Sequence, residues 1–273
     1  MDSAIAKAIR PPFEPVALLL TDQAPHPAKA FAEGRWGCVM WLLASAARGT
    51  PAVADRRSFG CLGGGTGLGF GNQYENWPGG IECFYRFLAD GNDSWAEGRT
   101  AADTVRPGFR KESFASFVHG ERYLKSAEQA RAFVTALPIT EVPARYVVFK
   151  PLSQVADGER PEIIIFLVDP DRLAALVVLA NYARDDNENV IIPFAAGCQS
   201  IGLLAYREAR RPRPRAVVGL MDISARAYVA AQLGRELVTF AVPLAMFEEM
   251  EANVAGSFLE RDTWHRLLTA PAR

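Results

Sequence analysis

Seven glycines fall within the thirteen residues 59–71, Phe-Gly-Cys-Leu-Gly-Gly-Gly-Thr-Gly-Leu-Gly-Phe-Gly. Inside a helix each glycine costs roughly 1 kcal/mol relative to alanine, because its backbone loses the most freedom on ordering. The run is therefore expected to be a loop in which backbone comes close to another group. It is not a standard phosphate cradle. A P-loop needs GxxxxGK[ST], and no lysine follows these glycines. A dinucleotide fingerprint needs GxGxxG between a strand and a helix, and Gly67-Leu68-Gly69-Phe70-Gly71 does not complete it.

The 273 residues are 49% hydrophobic and 22% charged, which excludes a disordered chain and allows a full core. The chain is read as one domain, 1–273. A net charge of −1 argues against a nucleic-acid binder, which needs a basic face to displace counterions. The N-terminal residues lack the apolar core of a signal peptide, and no apolar run approaches the ~20 residues a bilayer requires. The expectation is a cytoplasmic protein with reduced thiols and no membrane partner. A homo-oligomer is compatible with this composition.

Strand-like runs are expected at 16–20, 51–54, 146–151, 163–168, 190–193, 216–221 and 237–242. Helices are expected at 1–10, 38–47, 81–88, 126–137, 170–184, 198–210, 224–233 and 244–252, with Ser126 and Asp169 as caps. The polar stretch 90–117, with Gly91, Gly98, Pro107 and Gly108, reads as an irregular surface excursion. Alternation of strand and helix through the second half points to an α/β fold, or a mixed α+β one, around a mixed sheet. A weak internal echo accompanies it. Gly37-Cys38 and Gly197-Cys198 each open an apolar helix that ends in Arg and Pro, and a strand follows each. Two readings fit: pseudo-duplicated βα halves, or two βα units of a common type.

Three of the four cysteines follow a glycine: Cys38, Cys61 and Cys198. A cysteine at a helix start feels the positive end of the helix dipole, which favours its thiolate. The amides of Gly63, Gly64 and Gly65 beside Cys61 could bond to sulfide or another anion. Thiolates and N–H donors together are what an iron–sulfur cluster needs. Cysteine also packs as a small hydrophobe, and no CxxC spacing is present. Cys83, in Ile81-Glu82-Cys83-Phe84-Tyr85, lies inside a helix beside an apolar stripe and is expected to be a packing residue.

A second candidate corner is Met221-Asp222-Ile223-Ser224-Ala225-Arg226, at a strand end and a helix start. Ligands gather at such places, so Asp222 and Arg226 are candidate pocket residues. The plainer reading makes Asp222 a helix cap and pairs Arg226 with a surface carboxylate. With three histidines and no Gly-x-Ser-x-Gly, no serine-nucleophile arrangement is visible.

Taken in order, these motifs resemble domain-of-unknown-function family 169 of archaea and bacteria. The resemblance rests on Pro15-Val16-Ala17-Leu18, Gly37-Cys38, Gly60-Cys61 with Gly63 and Gly64, and Leu68-Gly69-Phe70. It continues through Gly197-Cys198, Ala216-Val217-Val218-Gly219-Leu220, Ser224-Ala225-Arg226 and residues 237–243. It implies a family core of about 15–247 whose three-cysteine layout matches Cys38, Cys61 and Cys198, with Cys83 outside it. It carries no activity.

The expectation is an iron–sulfur protein in which Cys38, Cys61 and Cys198 hold an oxygen-sensitive cluster. One iron is left for redox or Lewis-acid work on a small anionic substrate held by Arg226 or the glycine-rich amides. Two rivals are a non-enzymatic binding protein with packing or redox-sensing cysteines, and a thiol enzyme with one low-pKa cysteine.

Overall fold

The computed structural model describes residues 1–106 and 111–269. They form two compact units, one of Met1–Phe70 with Thr140–Arg273, the other of Gly71–Ile139. The second is thus an insertion in the sequence of the first.

The first unit begins with α1 (Ala4–Ile9), β1 (Val16–Thr21), α2 (Val39–Ala47), β2 (Ala52–Asp55) and α3 (Leu62–Gly67). The insertion carries α4 (Ile81–Leu88), α5 (Ala96–Val105), α6 (Lys111–His119) and α7 (Ala127–Ala136). The first unit resumes with β3 (Tyr146–Pro151), β4 (Ile163–Val168), α8 (Pro170–Asn181), β5 (Val190–Ile191), α9 (Gly197–Ile201) and α10 (Leu203–Ala209). It ends with β6 (Ala216–Gly219), α11 (Ile223–Leu233), β7 (Val238–Pro243), α12 (Leu244–Ala252) and α13 (Asp262–Thr269).

The seven strands form one sheet in the order β2-β3-β1-β4-β7-β6-β5. All neighbours are antiparallel except β5 and β6. Helices cover both faces. Val16, Leu18, Phe149, Ile163, Ile165 and Val217 pack toward α2, α10 and α11. The alternate residues Ala17, Leu19, Val148, Ile164, Phe166 and Val218 pack toward α1, α8 and α12. This is the period of two of a pleated strand, with both faces buried, and it is why the strands read as unbroken apolar runs. The α/β architecture is that expected from the alternation of elements.

The sheet reads the same from either side of the β1–β4 pair. Val16 stands opposite Pro151, and Ile163 stands opposite Pro243. Ala52 stands opposite Phe149, and Val217 opposite Ala241. At the centre Val16 faces Ile165 and Leu18 faces Ile163, an exchange about Ala17 and Ile164. The helices follow: α2 packs on β1, β2 and β3, while α10 packs on β4, β7 and β6. In the same way α3 packs on α9 and α11 on α2. The sequence echo thus corresponds to a topological two-fold relating β1-α2-β2-α3-β3 to β4-α9-α10-β6-α11-β7. The insertion falls between α3 and β3.

Three expectations are corrected. The glycine-rich segment contains a helix, α3, because tertiary packing overrides propensity. It is closely packed, and Gly67 lies against Cys198. The polar stretch 90–117 is mostly helical, as α5 and α6, whose Ala102 and Phe117 share a small core with Cys83. Pro107 and Gly108 lie outside the described residues. The helix expected over 198–210 is two helices, broken at Gly202. There the backbone turns (φ −110°, ψ −98°) where a Cβ would collide with the Gly67 carbonyl.

Within the insertion, Tyr74 stacks on Phe84 at 4.0 Å, and Tyr85, Ala130 and Val134 complete that cluster. Buried Asn92 ties α4 to α6 by donating to the carbonyls of Cys83 and Phe117 at 3.0 Å each. Among the described residues no helix is long and apolar enough to cross a membrane.

Candidate functional site

Four helix starts of the first unit bring together Cys38, Cys61, Cys198 and Asp222. Cys38 is the N-cap of α2 and Cys61 the N-cap of α3. Cys198 lies in the first turn of α9, and Asp222 is the N-cap of α11. Under the two-fold, Cys38 and Cys198 open equivalent helices, and Cys61 and Asp222 cap equivalent ones.

Local contacts hold the set. The Cys61 amide donates to the Gly37 carbonyl at 3.1 Å, so the two Gly-Cys steps are stitched together. Gly60 makes this possible: its φ is +79°, and a Cβ there would collide with that same carbonyl. The Gly64 amide donates to the Cys61 sulfur at 3.2 Å. The Cys198 thiol donates to the Gly63 carbonyl at 3.1 Å. The Gly65 amide is used within α3, donating to the Cys61 carbonyl at 3.0 Å.

All three thiols are pushed up from the ordinary thiol range. Burial pushes Cys38 up to about 12, and the Cys61 thiolate beside it adds to the rise. Burial likewise raises Cys61, against amide donors from Gly64 and Gly63. Cys198 is raised well above the ordinary thiol range by burial, then by repulsion from Cys61 and Cys38. The Asp222 carboxylate acts in the same direction on each of the three. The expectation that a helix start would favour the thiolate is therefore corrected: burial outweighs the dipole here. A thiol enzyme with one activated cysteine has no support in these surroundings.

Asp222 caps α11 by accepting from the amides of Ser224 at 2.9 Å and Ala225 at 3.2 Å. Burial raises its carboxyl despite these donors and that of Gly197. Arg226 is differently employed. Its guanidinium donates to the carbonyls of Leu220 and Leu237 at 3.2 Å each, and to that of Arg235. It thus ties the end of β6 to the start of β7, and among the described residues no carboxylate pairs with it.

One contributor was invisible in the sequence. Leu220 adopts φ +66°, a left-handed conformation that costs a side-chain-bearing residue about 1–3 kcal/mol. Its carbonyl is one of those gripped by Arg226, and the bend leads the chain from β6 into Asp222. No sequence signal marks a leucine for this.

Cys83 is fully buried in the insertion, beside Ala102 and Phe117. The charges that act on it are Arg86 and Glu82. Among the described residues no group of three or more His, Cys, Asp or Glu is arranged to hold a metal ion. The three thiols are thus not a ready-made ligand set for one ion.

Fold and site together describe an α/β protein with two buried thiols, a half-buried third and a half-buried carboxylate. The chain belongs to domain-of-unknown-function family 169, described as uncharacterised ArCR, whose pattern matches residues 4–253. No curated protein and no solved structure matches the chain.

Proposed function

We propose that the first unit binds an iron–sulfur cluster through Cys38, Cys61 and Cys198, leaving one iron without a thiolate for redox or Lewis-acid work. The observation that carries this reading is the grouping of three thiols at helix starts, linked by the Cys61–Gly37 and Cys198–Gly63 hydrogen bonds. Iron would draw off their protons and balance the thiolate charge, as metal binding does wherever cysteine ligands must first be deprotonated. The amides of Gly63 and Gly64 at Cys61 supply the N–H···S bonds that tune such clusters.

The substrate class is narrower than the sequence suggested. With Arg226 engaged by backbone carbonyls, a small anion would be left to the iron itself and to nearby amides.

The test is anaerobic purification and reconstitution with ferrous iron and sulfide, followed by iron and sulfide analysis and visible spectra. Bound iron and sulfide in the wild type, lost in Cys38→Ser, Cys61→Ser and Cys198→Ser, is the expected result. Colourless, iron-free protein would sink the reading. The rival, a non-enzymatic binding protein with packing cysteines, draws on the Cys198–Gly63 hydrogen bond, which already satisfies a neutral thiol. It predicts that the wild type takes up no iron or sulfide and that the three serine variants still fold.

A further inference from the structure

We propose, resting on the cluster reading above, that Asp222 is the fourth protein ligand of the site, binding through its carboxylate the iron that no cysteine reaches. The argument begins with the two-fold of the sheet. Strand β2 leads to Cys61 at the start of α3, and strand β6 leads to Asp222 at the start of α11. The helices they cap pack in matching ways, α3 on α9 and α11 on α2. Cys38 and Cys198 open α2 and α9, so the four groups form two related pairs. A set built from three thiols has its fourth corner occupied by a carboxylate.

A methyl group on Gly197, the residue before Cys198, would lie 3.5 Å from the Leu220 side chain, so the turn into Asp222 packs against the start of α9. From there the Asp222 carboxylate acts electrostatically on each of the three thiols. The backbone amides of Ser224 and Ala225 donate to it, and among the described residues no cation forms an ion pair with it. The strained turn at Leu220 and the grip of Arg226 on its carbonyl fix the approach of the chain to this position.

The chemistry has a consequence. Thiolate is the soft ligand that iron–sulfur clusters prefer, and carboxylate is harder. An iron held by Asp222 would exchange its protein ligand more readily than its three neighbours. That makes it the place where an external anion enters, with Asp222 as the group it displaces.

Two substitutions separate the ligand from the cap. Asp222→Asn keeps the oxygen that accepts from Ser224 and Ala225 and removes the charge. Asp222→Cys supplies a thiolate, and Cys61 shows that a cysteine can cap such a helix through its sulfur. Full-length wild type and both variants would be reconstituted anaerobically, and loss of one iron per cluster to a chelator would be followed by electron paramagnetic resonance and iron analysis. Urea midpoints would confirm that the variants are folded. The asparagine variant should lose that iron at least tenfold faster than wild type, and the cysteine variant at least tenfold slower, a change no smaller than mutation of a ligand's own hydrogen-bond partners makes at metal sites. Equal rates in all three folded proteins would overturn the role of Asp222 and leave the cluster reading standing. No iron in any of them, wild type included, would overturn the cluster reading itself and this inference with it.

Discussion

Gly67 lies so close to Cys198 that a methyl group on its α-carbon would stand 2.7 Å from the Cys198 sulfur. The same methyl would meet the Cys198 backbone carbonyl carbon at 2.8 Å. A backbone cannot retreat as a flexible side chain can, so Gly67→Ala must push α3 away from α9. Overpacking of this kind costs about 1–3 kcal/mol. The expected result is a lower urea midpoint and, because Cys61 and Cys198 move apart, reduced iron uptake on reconstitution. A variant with wild-type stability and uptake would show that this contact is slack.

The buried thiols set the alkaline limit of the metal-free protein. Cys38 is pushed up to about 12 by burial in the folded state. In the unfolded chain a cysteine ionises near ~8.5. As pH rises, the unfolded state therefore gives up its proton first, and stability that is intact below about pH 8.5 is lost as pH climbs toward the folded value. Urea unfolding under reducing conditions should show a falling midpoint across that range, with a shallower fall in Cys38→Ala. A flat profile would mean that the folded thiol ionises as freely as the unfolded one.

Cys83 separates packing from chemistry. It is fully buried against Ala102 and Phe117, and its backbone carbonyl is already taken by Asn92. Cys83→Ser places a hydroxyl among apolar groups and should cost about 1–3 kcal/mol. Iron and sulfide content after reconstitution should match wild type. Loss of the cluster from a folded Cys83→Ser protein would put this thiol among the ligands.

Arg226 makes a different prediction from a substrate anchor. Its planar fork serves several carbonyls at once, which lysine cannot imitate. Arg226→Lys should therefore lower stability by about 1–3 kcal/mol, as expected when buried acceptors lose their donor. Thermal melts read this directly. An unchanged melting temperature would free Arg226 for a role in ligand capture.

The strands were the most legible part of the sequence. Residues 146–151 and 163–168 carry dense β-branched runs, and β3 and β4 span those same residues. Helix caps were legible for the same local reason: Ser126 accepts from Gln129 and Asp169 from Arg172. The glycine-rich helix was not legible, because its stability comes from close packing across long sequence separations. Helices α5 and α6 were hidden by a polar composition and by Gly98. At the site, the Gly-Cys pattern drew attention to Cys38, Cys61 and Cys198. Burial, which decides their protonation, has no signature in the residues beside them. Asp222 was visible as a cap, but its equivalence to Cys61 emerges only from strand register.

The position of the insertion has a consequence for synthesis. Strand β1 pairs with β3 and β4, both of which follow residue 139 in the chain. A nascent chain must therefore carry an apolar, unpaired β1 while the whole of Gly71–Ile139 emerges from the ribosome. That inserted unit has its own two clusters and needs nothing encoded after it to fill them. Domains tend to close as units during translation, and this one is complete while the sheet is still lacking its middle. On stalled ribosomes with residue 145 just clear of the exit tunnel, proteolysis should spare the inserted unit and cut at β1, the segment then most exposed to chaperones.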